Sequence, residues 1–179
     1  MTPNDSITPL AVGSRAPDFT LTDAITGQPV TLSERLGRGV ALDFWSVDCA
    51  WSRYYDDYLI ERAAAWAAEG VTLLLINSNA NETPQQMRDM ADAYGIAGPI
   101  LIDAGSAVAN VYGATATPHI FVVDGGGRLV YQGAIDDRSF RQQQPTVNYL
   151  EAAISAMLAG EAINPHETPA YGCVIVREM

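Results

Sequence analysis

Two short apolar runs, Gly39 to Trp45 (GVALDFW) and Val71 to Asn77 (VTLLLIN), do most to restrict how this chain can fold. Each reads as a strand buried on both faces, the kind found at the centre of a helix-covered sheet. Between them an alanine-rich stretch from about Trp51 to Glu69, closed by Gly70, reads as a long helix. Thr83-Pro84-Gln85-Gln86 opens another helix. Thr83 can cap it, Pro84 suits its first position and Gln86 completes a capping box. That helix is expected to run to about Tyr94 and stop at Gly95. Ile100 to Ile102 is a short strand, and Ser106 to Tyr112 a short helix ended by Gly113. Ile120 to Val123 and Leu129 to Gln132 flank a glycine-rich turn, which lacks the spacing and following helix of a phosphate loop. Thr146 to Leu158 carries Leu150, Ile154 and Leu158 at helical spacing.

Ahead of these elements, Asp18 to Thr22 alternates, and Val30-Thr31-Leu32 returns after a turn at Thr26 to Pro29. The order predicts an α/β protein: a mixed central sheet flanked by helices, with an N-terminal hairpin. One domain over 13–160 is expected, with an N-terminal arm at 1–12 and a C-terminal tail at 161–179 that packs back on the domain.

A length of 179 residues suits one full hydrophobic core. The formal net charge of −11 repels phosphate backbones and anionic membranes, so no nucleic-acid or membrane partner is expected. No apolar run has bilayer length. The start, with Pro3, Asn4, Asp5 and Pro9, lacks the basic and apolar regions of a secretory signal, and a cytoplasmic location is expected. The two cysteines, Cys49 and Cys173, are too few for a disulfide scaffold, and His119 and His166 stand alone. No metal site is expected.

Cys49 falls just after the first buried strand, at the start of the long helix. Free N–H groups and the helix dipole stabilise a thiolate there, the form that attacks disulfides and peroxides. Asp48 opposes this, and Arg53 restores it if its side chain folds back over the turn. Position alone leaves open that Cys49 is an inert small hydrophobe. Trp45 reads as core, and Trp51 as an exposed docking aromatic. Tyr54, Tyr55 and Tyr58 read as helix packing.

The run Leu42 to Ser52 (LDFWSVDCAWS) resembles the active-site strand and turn of thioredoxins, in which Asp-Phe-Trp precedes the first cysteine of a Cys-x-x-Cys motif. Ala116-Thr117-Pro118-His119 is similar to the segment carrying that family's cis-proline, and Gly127 to Gly133 to the hairpin after it. Ala16-Pro17-Asp18-Phe19-Thr20-Leu21 resembles the opening of redoxins in the alkyl hydroperoxide reductase and thiol-specific antioxidant group. Gly172-Cys173-Val174-Ile175 is similar to the end of a peroxiredoxin-like branch. The resemblance covers roughly residues 12 to 160 and implies a thioredoxin fold.

It also implies roles. Cys49 is the nucleophile. Asp43 is the buried carboxylate, whose pKa desolvation raises; the alternative is an aspartate satisfied in a polar niche. Pro118 in the cis form leaves the Thr117 backbone free to pair with an extended substrate, and Trp51 and Ser52 join Thr117 and Pro118 as substrate-binding residues. His119 either influences Cys49 or faces outward from its strand.

The chain departs from both parent patterns. Ser52 stands at the second motif cysteine and cannot resolve a mixed disulfide. Leu42 and Ser46 replace the proline and threonine of the peroxiredoxin motif. Cys173 is then either the resolving thiol, if the tail brings it to Cys49, or a buried cysteine on a short C-terminal strand. The function implied is a thiol-dependent oxidoreductase of antioxidant type, reducing disulfides or peroxides. It needs no dissociable cofactor and draws electrons from a thioredoxin-like protein or a small thiol such as glutathione. The alternative is a thioredoxin-fold binding module with little turnover.

Overall fold

The computed structural model describes residues 10–178. Most of the expected N-terminal arm, residues 1–9, lies outside them. In chain order the elements are β1 (Thr20–Asp23), β2 (Pro29–Thr31), β3 (Gly39–Phe44), α1 (Ala50–Ala68), β4 (Val71–Asn77), α2 (Pro84–Tyr94) and β5 (Ile100–Ile102). They continue with α3 (Ala107–Tyr112), β6 (Ala116–Thr117), β7 (His119–Asp124), β8 (Leu129–Gly133), α4 (Tyr149–Ala159) and β9 (Cys173–Val174). Among the described residues no helix is long and apolar enough to cross a membrane.

Seven strands form one mixed sheet in the order β2-β1-β5-β4-β3-β7-β8. The fully buried β3 pairs in parallel with β4, from Gly39↔Val71 to Phe44↔Ile76, and antiparallel with β7, from Gly39↔Asp124 to Phe44↔His119. The N-terminal hairpin of β1 and β2 extends this sheet through an antiparallel pairing of β1 with β5.

Side chains of a strand alternate between faces. Val40, Leu42 and Phe44 enter a core shared with Leu74, Ile76, Phe121, Val123 and α3's Tyr112. Ala41 points the other way, into a core built with Tyr55, Leu59 and Trp66 of α1 and Leu150 and Ile154 of α4. Asp43 therefore falls on the α1 and α4 face. Met87 and Ala91 of α2 pack with Trp45, Leu75 and Ile100.

The capping box of α2 forms as its sequence predicts, and Gly95 ends the helix in the left-handed conformation. The last helix starts later than expected, at Tyr149. The Asp137 carboxylate accepts from the backbone N–H groups of Thr146 and Val147 and from the Thr146 hydroxyl, and Asn148 is the true cap, accepting from Glu151 N–H. Beyond α4 the chain returns across the domain. It bridges Glu167 to Gln132 on β8 and ends in a second, two-stranded sheet of β6 and β9.

Candidate active site

β3 and β4 run in parallel, so the loops after both lie at one end of the sheet, and the site is assembled there. The first loop leads from Phe44 through Trp45 and the Ser46–Asp48 turn to Cys49, the N-cap of α1. Trp45 is core, and its indole N–H donates to Asp56 Oδ1 at 3.0 Å. Arg53 does fold back over the turn. Its guanidinium donates to the carbonyls of Val47 (3.1 Å) and Ser46 (2.9 Å), lies 4.6 Å from the Trp45 ring and pairs with Asp56 at 2.6 Å.

From the loop after β4 comes a residue the sequence reading missed. The buried Glu82 carboxylate accepts from the Ser46 hydroxyl, from the backbone N–H groups of Val47 (2.8 Å) and Asp48 (3.1 Å), and from the Asn77 side-chain amide. It holds the whole approach to Cys49. No local pattern marks Glu82. The available signal is topological: loops following adjacent parallel strands meet at one end of a sheet.

The Thr117–Pro118 peptide bond is cis, and the Thr117 carbonyl oxygen lies 3.1 Å from Cys49 Sγ. The edge of β6 is not free for an extended substrate. β9 occupies it, with Thr117 opposite Cys173 and Ala116 opposite Val174. Cys173 is bonded to Cys49 in a disulfide that spans 124 positions, with the α-carbons 6.1 Å apart. Gly172 passes so close to the Thr117 carbonyl that a β-carbon there has no room.

Cys49 is wholly buried, at 0% exposure, because the tail covers it, while Cys173 is partly exposed. Ser52 does not face a substrate either. It is 1% exposed, and its hydroxyl accepts from Ser46 N–H at 3.4 Å, so its role is to close the turn. Trp51 is half-buried in an aromatic cluster. Its ring lies 5.3 Å from Phe140 and 6.5 Å from Tyr171, and the Arg138 guanidinium stacks 4.8 Å from it.

Asp43 sits at 0% exposure on β3, and neither carboxylate oxygen has a hydrogen-bond partner among the described residues. It is not in a polar niche. Burial pushes its carboxyl up to about 8, and the Asp56 charge adds to the rise, while Arg53 opposes it. Asp43 is therefore a neutral acid around pH 7. His119 packs its ring 4.6 Å from Phe121, and its Nδ1 accepts from Thr115 N–H at 3.3 Å. Burial lowers its pKa to about 4, so it is uncharged at neutral pH.

A cysteine at a helix N-cap, a cis-proline beside it and a second cysteine in disulfide contact together form a redox site of thioredoxin type. The AhpC/TSA family pattern matches residues 12–132. The chain belongs to the AhpC/TSA family. It is 30% identical over 142 residues to the thiol-disulfide oxidoreductase ResA of Geobacillus thermodenitrificans, a match covering 78% of this chain and 80% of the relative. A hypothetical protein from Sinorhizobium meliloti 1021 has the same fold from end to end, with a TM-score of 0.86, 34% identity and coverage of 96% and 97% of the two chains. A protein assigned as the thiol:disulfide interchange protein DsbE of Chlorobium tepidum superposes with a TM-score of 0.69 at 25% identity, over 83% of this chain and 99% of its own. In this AhpC/TSA member the second thiol comes from the tail, since Ser52 holds the place of the second motif cysteine.

Proposed function

We propose that this AhpC/TSA protein catalyses thiol–disulfide exchange by cycling Cys49 and Cys173 between dithiol and disulfide. The observation that carries the reading is the Cys49–Cys173 bond itself, made across 124 positions at the N-terminus of α1 and beside the cis-proline. In the reduced protein the Cys49 thiolate attacks one sulfur of a disulfide R–S–S–R. A Cys49–S–S–R bond forms and RS⁻ leaves. The Cys173 thiol, giving up its proton, then attacks Cys49 Sγ and expels the second RS⁻. Two thiols are released, the substrate is reduced by two electrons, and the protein is left as the disulfide. The same geometry serves a hydroperoxide: Cys49 is oxidised to a sulfenic acid with release of ROH, and Cys173 condenses with it with loss of water.

Asp43, buried on β3 at the position of the thioredoxin carboxylate and protonated around neutrality, is assigned to proton exchange with the departing thiolate. The Thr117 carbonyl, 3.1 Å from Cys49 Sγ and next to the cis-proline, borders the reacting sulfur. Electrons return from a small thiol or a thioredoxin-like protein. A cytoplasmic setting belongs to this reading, because there a disulfide is transient and catalytic rather than a permanent clamp. The bonded pair beside the cis-proline, with Cys49 at the N-terminus of α1, favours exchange over a binding module without turnover.

The test is exchange between the reduced protein and a small chromogenic disulfide, followed by mass mapping. The wild type should release two equivalents of thiol and lose two hydrogens, linking the Cys49 and Cys173 peptides. Cys173→Ser should stop at the mixed disulfide on Cys49, and Cys49→Ser should lose the fast phase. A wild type no faster than Cys49→Ser would refute the reading.

A further inference from the structure

An extended polypeptide substrate would need the backbone edge of Thr117, and the tail of this chain holds that edge. The hold does not depend on the disulfide. On the near side of Cys173, Thr168 N–H donates to the Gln132 carbonyl at 3.0 Å, and the Thr168 hydroxyl bonds Tyr131 and Ala134 N–H. On the far side, the Ile175 side chain is 2% exposed and sits in the core with Leu42, Phe44 and Tyr112. Val176 N–H donates to Asn79 Oδ1 at 2.9 Å, and its carbonyl accepts from Ala80 N–H at 2.8 Å. Arg177 bonds the Ala114 carbonyl at 2.7 Å and the Asn110 side chain at 2.9 Å. Anchors on both sides keep the strand in place once the sulfurs part. Gly172 against the Thr117 carbonyl leaves no gap for a second strand.

Resting on the exchange reading above, we propose that the partner of this site in both directions is a low-molecular-weight thiol or disulfide, not a polypeptide disulfide laid along Thr117. Reduction breaks the S–S bond under a tail that stays docked. A compact thiol or disulfide reaches the sulfur pair from the side on which Cys173 is partly exposed. A polypeptide waits for the tail to undock, and its rate is scaled down by the undocked fraction. Burial of the Ile175 side chain alone sets this penalty on the order of 10- to 100-fold.

Stopped-flow oxidation of the reduced full-length protein by cystamine or glutathione disulfide, against the disulfides of an unfolded polypeptide of matched reduction potential, tests the proposal. The small disulfides should be faster by that factor. Ile175→Ala should raise the polypeptide rate relative to the small-disulfide rate. Hydrogen exchange needs no variant: in the reduced wild type the Ile175 and Val176 amides should stay protected. Equal rates for the two substrate classes, or free exchange at those amides on reduction, would overturn the proposal and leave the exchange chemistry standing. Failure of every disulfide to react would instead remove the exchange reading itself.

Discussion

Replacing Asp43 by asparagine should remove a loss of stability that the wild type suffers as pH rises between about 5 and 8. The folded protein keeps the Asp43 proton up to about 8, while the unfolded chain releases it near 3.8. Between those values the folded state binds more protons, so stability is full below the unfolded pKa and is lost as pH rises through the folded one. Each unit of pH within the window costs about 1.4 kcal/mol, which makes the loss from pH 5 to pH 8 on the order of 4 kcal/mol. Asparagine has the shape of the neutral acid and carries no proton to lose. His119 works in the opposite sense: its lowered pKa of about 4 makes folding lose stability as pH falls below about 6.5. That contribution is common to both proteins, so the quantity to measure is the difference between them. Urea unfolding of oxidised wild type and Asp43→Asn at matched pH values supplies it. The variant should gain on the wild type steadily as pH rises. Parallel stability profiles would refute the argument that Asp43 is buried without a compensating partner.

Two further substitutions probe the frame around the sulfurs. Gly172→Ala places a β-carbon on the Thr117 carbonyl, which as backbone cannot yield; the variant should be less stable by about 1–3 kcal/mol when oxidised and should close its disulfide at least about tenfold more slowly, read by quenched alkylation after peroxide. Glu82→Gln turns an acceptor surrounded by four donors into a group with a donor of its own; it should cost about 1–3 kcal/mol and speed hydrogen exchange at Val47 and Asp48, and unchanged stability would show that the clamp is dispensable.

Helix α2 is legible in the sequence because every boundary signal is local: Thr83 and Gln86 at one end, Gly95 at the other. β3 and β4 are legible because burial on both faces writes an unbroken apolar run. β9 is not legible in this way, since two residues carry no periodicity and Cys173 owes its strand conformation to Thr117. The site divides along the same line. Cys49 and the cis-proline segment follow from residues next to one another in the chain. The burial of Cys49, the inward turn of Ser52 and the clamp at Glu82 depend on segments that only the fold brings near. Trp51 shows the limit of reading exposure from sequence, because Phe140 and Tyr171, which half-cover it, arrive from beyond β8.

The anchor at Ile175 has a thermodynamic consequence for the redox couple. By fastening the tail on either side of Cys173, the core fixes the effective concentration of that thiol at Cys49, and an intramolecular closure can outcompete external thiols present at far lower molarity. The same quantity sets how strongly the protein favours its own disulfide over a mixed one. A substitution in the hydrophobic core, touching neither sulfur, would therefore shift the oxidising strength of the site. Redox tuning in this chain is partly a property of packing, and its oxidised fraction in a thiol buffer should report tail docking as faithfully as any structural probe.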